Sequence, residues 1–360
     1  MASVGLCGFY GKNNFGDDLM ALHLEKILSS NGKNQVKLYS DAFSKNVNKF
    51  QNNGYLDNDI IVIGGGGIVD EKFWIFENGG IKKLIDSGKR IVFLNVNIVD
   101  YNLKNNFQED LKKLNAVWWV RDLSSVHLLN NIGIGSNYLP DVSFSGNVLE
   151  NKKYPEKANK KVLSVFLNAH AFTDEYQNQS IDGYLESQHY MRVLAKYFDW
   201  MESFGWEVHF IPCQTSGLAD DRIPGGVIFS MMKSRHKTFW ITRRLSPKHI
   251  NRKIENSNLV VSSRYHSTTM SIAAGVKTLD ITHHLKSKNF LDDLNLKELT
   301  VDYNSLSVAA LIKATENLEY STRFKENVEA YNKKSLEHWE KFKIDWQDFT
   351  KRVDQNVLGK

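Results

Sequence analysis

Arg264 and His266 are the residues whose types and placement carry the most chemistry in this chain. They follow Asn258-Leu-Val-Val-Ser262, an apolar run that reads as a buried parallel strand, and precede Ser267-Thr-Thr-Met-Ser-Ile-Ala-Ala274, which reads as a helix closed by Gly275. A guanidinium and an imidazole at a strand's carboxyl end sit where open α/β sheets bind ligands. The unpaired N–H groups of a helix start favour an anion there. Arg264 supplies a permanently charged fork for phosphate or carboxylate, and His266 a donor or a titratable proton. Their i, i+2 spacing predicts extended chain, with both side chains reaching out before the helix begins.

Other strand ends carry related residues. Gly8-Phe-Tyr-Gly-Lys-Asn-Asn-Phe-Gly-Asp-Asp18 joins the first strand to the first helix. Asn14 and Asp17 offer hydrogen bonds to hydroxyls there, and Asp17 also reads as a helix cap. The run matches neither a dinucleotide fingerprint nor a P-loop. Gly64, Gly65, Gly66 and Gly67 end another strand, and glycines there let the backbone pass close to a ligand or a loop. Arg121 reads as a second cation facing a site, or as the local ion partner of Asp122. Pro140-Asp141 closes the next apolar piece. Asp220 and Asp221 read as helix caps or as site carboxylates. His283 and His284 are adjacent and lack an acidic cluster at ligand spacing, so no metal site is predicted. Lys233, Arg235, Lys237, Arg243 and Arg244 form a basic run, either a solvated face or one that approaches anionic lipid headgroups.

The elements that must position these groups alternate. Strands are predicted near residues 4–9, 36–39, 59–63, 90–95 and 116–120, with helices between them. A polar stretch over 150–161 then reads as a linker. The rhythm restarts with strands near 162–167, 206–211, 238–242, 259–262 and 277–281. Ser246-Pro247 reads as a helix start. From 277–281 onward the chain reads as mostly helical, ending in a long amphipathic helix over 322–353. The expectation is an α/β protein of two doubly wound, Rossmann-like domains facing across a cleft. Its domains are 1–150, 151–320 and a helical segment 321–360 that packs back on the first.

Composition agrees. At 360 residues two domains are the default, and 42% hydrophobic with 24% charged residues is globular. A net charge of +5 suits anionic small substrates and does not indicate nucleic acid. Cys7 and Cys213 read as reduced core thiols. Met1-Ala-Ser-Val4 lacks a basic leader, and no apolar run approaches the ~20 residues of a membrane span. The expected location is cytoplasmic.

In order and spacing these motifs resemble the polysaccharide pyruvyl transferase family over about residues 4–296. The matching segments are Gly8-Phe-Tyr-Gly-Lys-Asn-Asn-Phe-Gly-Asp17, Ile63-Gly-Gly-Gly-Gly67, Val120-Arg121-Asp122 with Ser124, Pro140-Asp141, and Arg264-Tyr265-His266 through Gly275. Departures are Asn95-Val-Asn97, where the family has glycines, and His283-His-Leu-Lys286, where it has a tyrosine and a lysine. The resemblance implies a GT-B-like fold. It implies transfer of pyruvate from phosphoenolpyruvate to two hydroxyls of a sugar, forming a cyclic ketal and releasing phosphate. Arg264, His266, Lys286 and Ser267 of the second domain, with Arg121 of the first, would hold the donor. Asn14, Asp17 and the glycines 64–67 would line the acceptor side in the first. His266 would be proton donor or phosphate clamp, and Asp17 or Asp220 the base. No cofactor or metal is needed. The sugar acceptor, lipid-linked or not, would allow peripheral association with the inner face of a membrane. A nucleotide-sugar glycosyltransferase and a non-catalytic glycan-binding protein are the alternatives; the lack of any glutamate over 256–297 counts against the first.

Overall fold

A computed structural model of the chain describes residues 2–30, 32–41, 50–51, 54–98, 103–145, 160–169, 181–215, 220–282, 285–320 and 323–358. His283, His284 and most of the expected linker lie outside the described residues. The chain forms two compact units. The first comprises Met1–Lys12, Asp17–Val148 and Lys333–Lys360; the second comprises Asn13–Gly16 and Leu149–Asn332.

The first unit is built from β1 (Ser3–Cys7), α1 (Phe15–Leu28), β2 (Gln35–Tyr39), β3 (Phe50–Gln51), β4 (Ile60–Gly66), α2 (Gly80–Asp86), β5 (Arg90–Val96), α3 (Asn105–Lys113), β6 (Ala116–Val120), α4 (Leu123–Asn131) and β7 (Asn137–Tyr138). The strands form one parallel sheet in the order β3-β2-β1-β4-β5-β6-β7. β1 and β4 read as unbroken apolar runs because helices cover both faces, so no alternation is needed. In register, Phe93 of β5 lies beside Trp118 of β6, and their rings stack at 3.6 Å.

The second unit runs β8 (Lys161–Phe166), α5 (Ile181–Ser203), β9 (Trp206–Phe210), α6 (Arg222–Met231), β10 (Thr238–Trp240), α7 (Pro247–Glu255), β11 (Leu259–Ser262), α8 (Tyr265–Ala273), β12 (Lys277–Thr282), α9 (Leu285–Asp293), β13 (Thr300–Asp302) and α10 (Val308–Tyr320). Its sheet is parallel too, ordered β10-β9-β8-β11-β12-β13. Ser246 caps α7 as expected, with Pro247 in the first turn. β13 lies where the sequence predicts mostly helix; three residues are too few to show an alternation.

The last helix, α11, spans Arg323–Leu358. Its stretch from Lys333 belongs to the first unit. There Trp339 Nε1 donates to Pro140 O at 3.1 Å and Trp346 Nε1 to Leu28 O at 3.0 Å. Trp339, Phe342 and Trp346 join the core formed by β1, α1 and β4. Among the described residues no helix is long and apolar enough to cross a membrane.

In both sheets the strand order turns back beside the first strand of the unit, between β1 and β4 and between β8 and β11. Ligands bind at the carboxyl ends of strands at such switch points.

Candidate functional site

The β11–α8 corner is closed by hydroxyls. Ser262 Oγ accepts from Arg264 N at 3.1 Å and shares a hydrogen with Ser267 Oγ at 2.7 Å. Ser263 ties the corner to β8: its amide donates to Phe166 O at 2.8 Å and its Oγ accepts from Asn168 N at 2.7 Å. Arg264 is therefore the extended cap residue, with φ −105° and ψ 123°, and α8 starts at the next residue. This corrects the expectation for His266. It is the second residue of α8, not a strand-end residue, because the two serines turn the chain immediately after Arg264. Ser267 is fully buried, so its hydroxyl props the corner from inside and does not face a ligand.

The Arg264 guanidinium is held by a carboxylate. Nε donates to Asp221 Oδ2 at 3.1 Å, and Nη2 donates to Asp221 Oδ1. Nη1 donates to Gln214 Oε1 at 3.2 Å. Asp221 is buried, and also accepts from the backbone N–H groups of Ala169 (3.1 Å), Cys213 (3.1 Å) and Gln214 (2.8 Å). Burial pushes this carboxyl's pKa up, while Arg264 and the amides pull it back. Those contacts all come from N–H donors, the environment of an ionised carboxylate. Asp221 thus makes no side-chain cap for α6; it anchors Arg264. The Arg264 side chain keeps 13% of its surface exposed, against 1% for Asp221.

Asp220 has a different partner. It accepts from Arg222 N at 3.0 Å and from Arg222 Nε at 2.9 and 3.0 Å. That hydrogen bonding holds the Asp220 carboxyl below the ordinary aspartate range, which makes it a weaker base.

The glycine-rich turn supplies the other wall. Residues Asn13–Gly16 group with the second unit. Asn14 pairs with Gln214 in an antiparallel bridge, Phe15 N donates to Cys213 O at 2.8 Å, and Thr215 N to Asn13 O at 3.4 Å. Asn13 takes a left-handed φ of 60° to make this turn. Asn14 Oδ1 accepts from Gly16 N at 3.1 Å, so Asn14, not Asp17, caps α1. Gly16 lies against the His266 ring: a Cβ built on it would stand 2.0 Å from Nδ1. The backbone approaches that imidazole as only glycine permits. Across the ring, Tyr265 packs edge-on at 5.3 Å, and Lys286 Nζ lies 5.5 Å from the Tyr265 ring centre. Arg264, His266, Asn14 and Gln214 therefore belong to one constellation, with Lys286 reaching it through Tyr265.

The strand-end motifs of the first unit form their own network. Arg121 Nη1 lies 3.4 Å from Asp141 Oδ2, and Nη2 donates to Asn97 Oδ1. The Arg121 side chain is 1% exposed. The expectation that it faces a ligand is corrected: it is an internal cation joining β6 to the segment after β7. Its alternative partner, Asp122, instead caps α4 by accepting from Ser125 N at 2.8 Å. The register of β5 on β6 shifts between Leu94 and Val96, at Asn95, and Asn97 follows the end of the strand. Asn95 donates to Leu139 O and Pro140 O at 3.2 and 2.9 Å and accepts from Val142 N at 2.9 Å.

The four glycines divide. Cβ atoms on Gly64 and Gly65 would press on Leu6 and Leu24, and on Met20, at 2.9–3.3 Å. These two let α1 pack closely on β4. Gly66 and Gly67 border Asp17 and Asn97. Asp17 lies in the first turn of α1 and is mostly buried. Among the described residues no cluster of histidine, cysteine or acidic groups is arranged to hold a metal.

A family model described as polysaccharide pyruvyl transferase matches residues 14–284, about three quarters of the chain. The chain belongs to the polysaccharide pyruvyl transferase family. It is thus a transferase, of a family that moves a pyruvyl group onto polysaccharide. No curated protein matches the sequence. Solved structures similar to it include a putative UDP-N-acetylglucosamine 2-epimerase from Listeria monocytogenes, with 10% identity, 94% of each chain covered and a TM-score of 0.63. An MnaA–UDP co-structure from S. aureus has 10% identity, 91% coverage of each chain and a TM-score of 0.59. The glycosyltransferase SnogD from Streptomyces nogalater has 11% identity, 94% and 95% coverage and a TM-score of 0.51. These likenesses show the GT-B-like fold of two doubly wound sheets.

Pyruvyl transferase motifs thus split between the two units, with the Arg-x-His corner in the second and the Arg-Asp and Pro-Asp motifs in the first. Three residues of these networks escape a motif reading: Asp221, Gln214 and Asn97. Gln214 and Asn97 are marked in the sequence only as polar residues after a strand, and Asp221 only as one of two acids before a helix. Gly16 was part of the quoted motif, but the ring it seats is 250 residues away.

Proposed function

We propose that this pyruvyl transferase takes pyruvate from phosphoenolpyruvate, forms a cyclic ketal on two hydroxyls of one sugar, and releases phosphate. The observation that carries the reading is the Arg264 guanidinium locked by Asp221 and Gln214 at the start of α8, with His266 seated on Gly16 beside it. Phosphoenolpyruvate is a small trianion with phosphate and carboxylate on one carbon. It calls for a fixed fork, a second donor and helix N–H groups converging. Arg264 and Lys286 are the proposed clamps.

The reaction needs one proton on the methylene carbon, which becomes the methyl group and leaves the second carbon open to attack. Each of two hydroxyls then forms a C–O bond and loses its proton, and the C–O bond to phosphate breaks. One of those protons is balanced by the new methyl hydrogen, and the other leaves with phosphate. His266 is the proposed proton donor, held in place by Gly16 and Tyr265. Asp17 or Asp220 is the proposed base; Asp220 would have to give up part of its pairing with Arg222 to act. Asn14 is proposed to bind an acceptor hydroxyl. The step calls for no cofactor. If the acceptor is carried on lipid, the enzyme would work in the cytoplasm at the inner face of a membrane.

The test is incubation with phosphoenolpyruvate and candidate sugars, read by phosphate release and by mass spectrometry. A product heavier by one pyruvate ketal is expected. Stabilisation against heat by a nucleotide sugar, with none by phosphoenolpyruvate, would replace this reading with glycosyl transfer.

A further inference from the structure

The charge of the second unit is concentrated at one edge of its sheet. Residues 222–254 hold nine lysines and arginines and no aspartate or glutamate, in a chain whose net charge is only +5. The stretch covers α6, β10 and α7 as far as Ile254; Glu255, the last residue of α7, follows it. β10 is the edge strand, paired on one side only with β9. Apolar side chains stand out from the same stretch: Ile223 is 52% exposed, Phe239 50% and Trp240 41%.

These groups lie along both faces of the edge strand. Trp240 lies over the glycine pair of α6, where a Cβ on Gly226 would stand 2.6 Å from its ring. Arg222 Nη1 donates to Thr242 O at 3.1 Å, which brings the start of α6 to the residue before Arg243. The Arg235 guanidinium lies 5.5 Å from the Phe229 ring centre. On the other face of the strand, Phe239 packs on His209 at 4.9 Å. Burial, then the nearby charge of Lys253, holds the His209 imidazole's pKa below its ordinary value.

Carboxylates that border the patch are already engaged, mostly by the patch itself, and one of its cations, Arg222, is paired in this way. Asp199 accepts from the amides of Lys233 and Ser234, and Glu202 from the amide of Lys237. Asp220 pairs with Arg222, and Glu207 with Lys160 at 2.9 Å.

We infer that this edge docks on an anionic lipid bilayer. Nucleic acid would take the cations and stack bases on Phe239 and Trp240, but it leaves Ile223 in water; a headgroup region with acyl chains beneath it takes the cations and covers all three apolar side chains. The charge supplies attraction and the three apolar side chains supply depth. The inference stands on this surface alone, and is independent of the donor chemistry proposed for Arg264.

The experiment is co-sedimentation of the whole chain with vesicles of phosphatidylcholine alone and of equal parts phosphatidylcholine and phosphatidylglycerol. Binding is expected only to the second, and should fall as salt is raised. Each cation removed should weaken it about fivefold, which is ~1 kcal/mol for a basic residue near an anionic surface. Arg243→Glu with Arg244→Glu should then abolish sedimentation, and Phe239→Ser should weaken it at every salt concentration. Both variants should keep their melting temperature and their phosphate release with a soluble acceptor, so failure here is distinguishable from failure of the pyruvyl reading. Wild-type protein that stays in the supernatant at low salt overturns the inference. So does binding that neither variant changes. Tight binding of duplex DNA without vesicle binding would assign the edge to nucleic acid instead.

Discussion

Asp221 and Arg264 form a pair whose two halves are not equivalent, and this yields opposite expectations for their removal. Without Arg264, the Asp221 carboxylate still has the amides of Ala169, Cys213 and Gln214. Arg264→Ala should therefore fold with a modest loss of thermal stability, while phosphoenolpyruvate no longer raises its melting temperature. Asp221→Asn places an amide among three N–H donors and leaves Arg264 without its carboxylate. Breaking a buried pair in this way costs about 3–5 kcal/mol, and should appear as a clear drop in melting temperature. If both variants melt alike, Asp221 does not anchor the guanidinium. Gly16→Ala is a second test at this scale. Its methyl would meet His266 Nδ1 at 2.0 Å, so the ring must move. Phosphate release should fall about 10²-fold, the scale of a misplaced catalytic group, with far-ultraviolet circular dichroism unchanged. Wild-type turnover would remove His266 from the mechanism. Arg264 and His266 were legible in the sequence because an apolar strand and a helix flank them. The pairing of Asp221 with Arg264 was not, because the two lie 43 residues apart and an Asp-Asp pair before a helix reads first as a cap.

At the level of elements, a glutamate of α5 holds the start of the edge strand β10. Glu202, at the end of α5, accepts from Lys237 N at 2.5 Å, Thr238 Oγ1 at 3.1 Å and Ser234 Oγ. Burial by itself would raise its pKa, but these three donors outweigh it and hold the carboxyl below the ordinary glutamate value. A depressed folded-state pKa contributes stability that is present above the unfolded value, near 4.5. That contribution is lost as pH falls through the folded value. Glu202→Gln should thus lower stability by about 1–3 kcal/mol at neutral pH, the cost of a weakened buried acceptor. The difference from wild type should shrink below pH ~4. Chemical denaturation at the two pH values measures this, and a gap that stays constant with pH would show that the charge of Glu202 is irrelevant. The long strands and helices were legible from their apolar runs, as was the cap of α7. β3, β7 and β13 were not, since two or three residues cannot display a period. The internal position of Arg121 was equally hidden: its partners Asn97 and Asp141 lie 24 and 20 residues away in the chain.

On the scale of the molecule, neither unit is one continuous stretch of chain. Four residues, Asn13–Gly16, group with the second unit, and the end of the chain groups with the first. The amphipathic side of α11 was visible in the sequence. That it packs back on the first domain was an expectation from the two-domain architecture, since an apolar stripe shows that a helix is covered without showing by what; Lys333–Lys360 group with the first unit. Trp339 shows how firmly that end is held. It is fully buried, and its indole donates to Pro140 O, next to the Asp141 that meets Arg121. Trp339→Ala should cost the first unit about 3–5 kcal/mol, the range for deleting a buried aromatic side chain. The two free cysteines report the units separately, since Cys7 lies in the first and Cys213 in the second, both buried. Burial pushes the pKa of both thiols up, so neither reacts until its surroundings open. Pulsed labelling of the two thiols under mild denaturant should show Cys7 exposed at a lower concentration in Trp339→Ala, with Cys213 following the wild-type curve. Equal advancement of both thiols would mean that the units unfold as one, and that the terminal helix supports the whole chain.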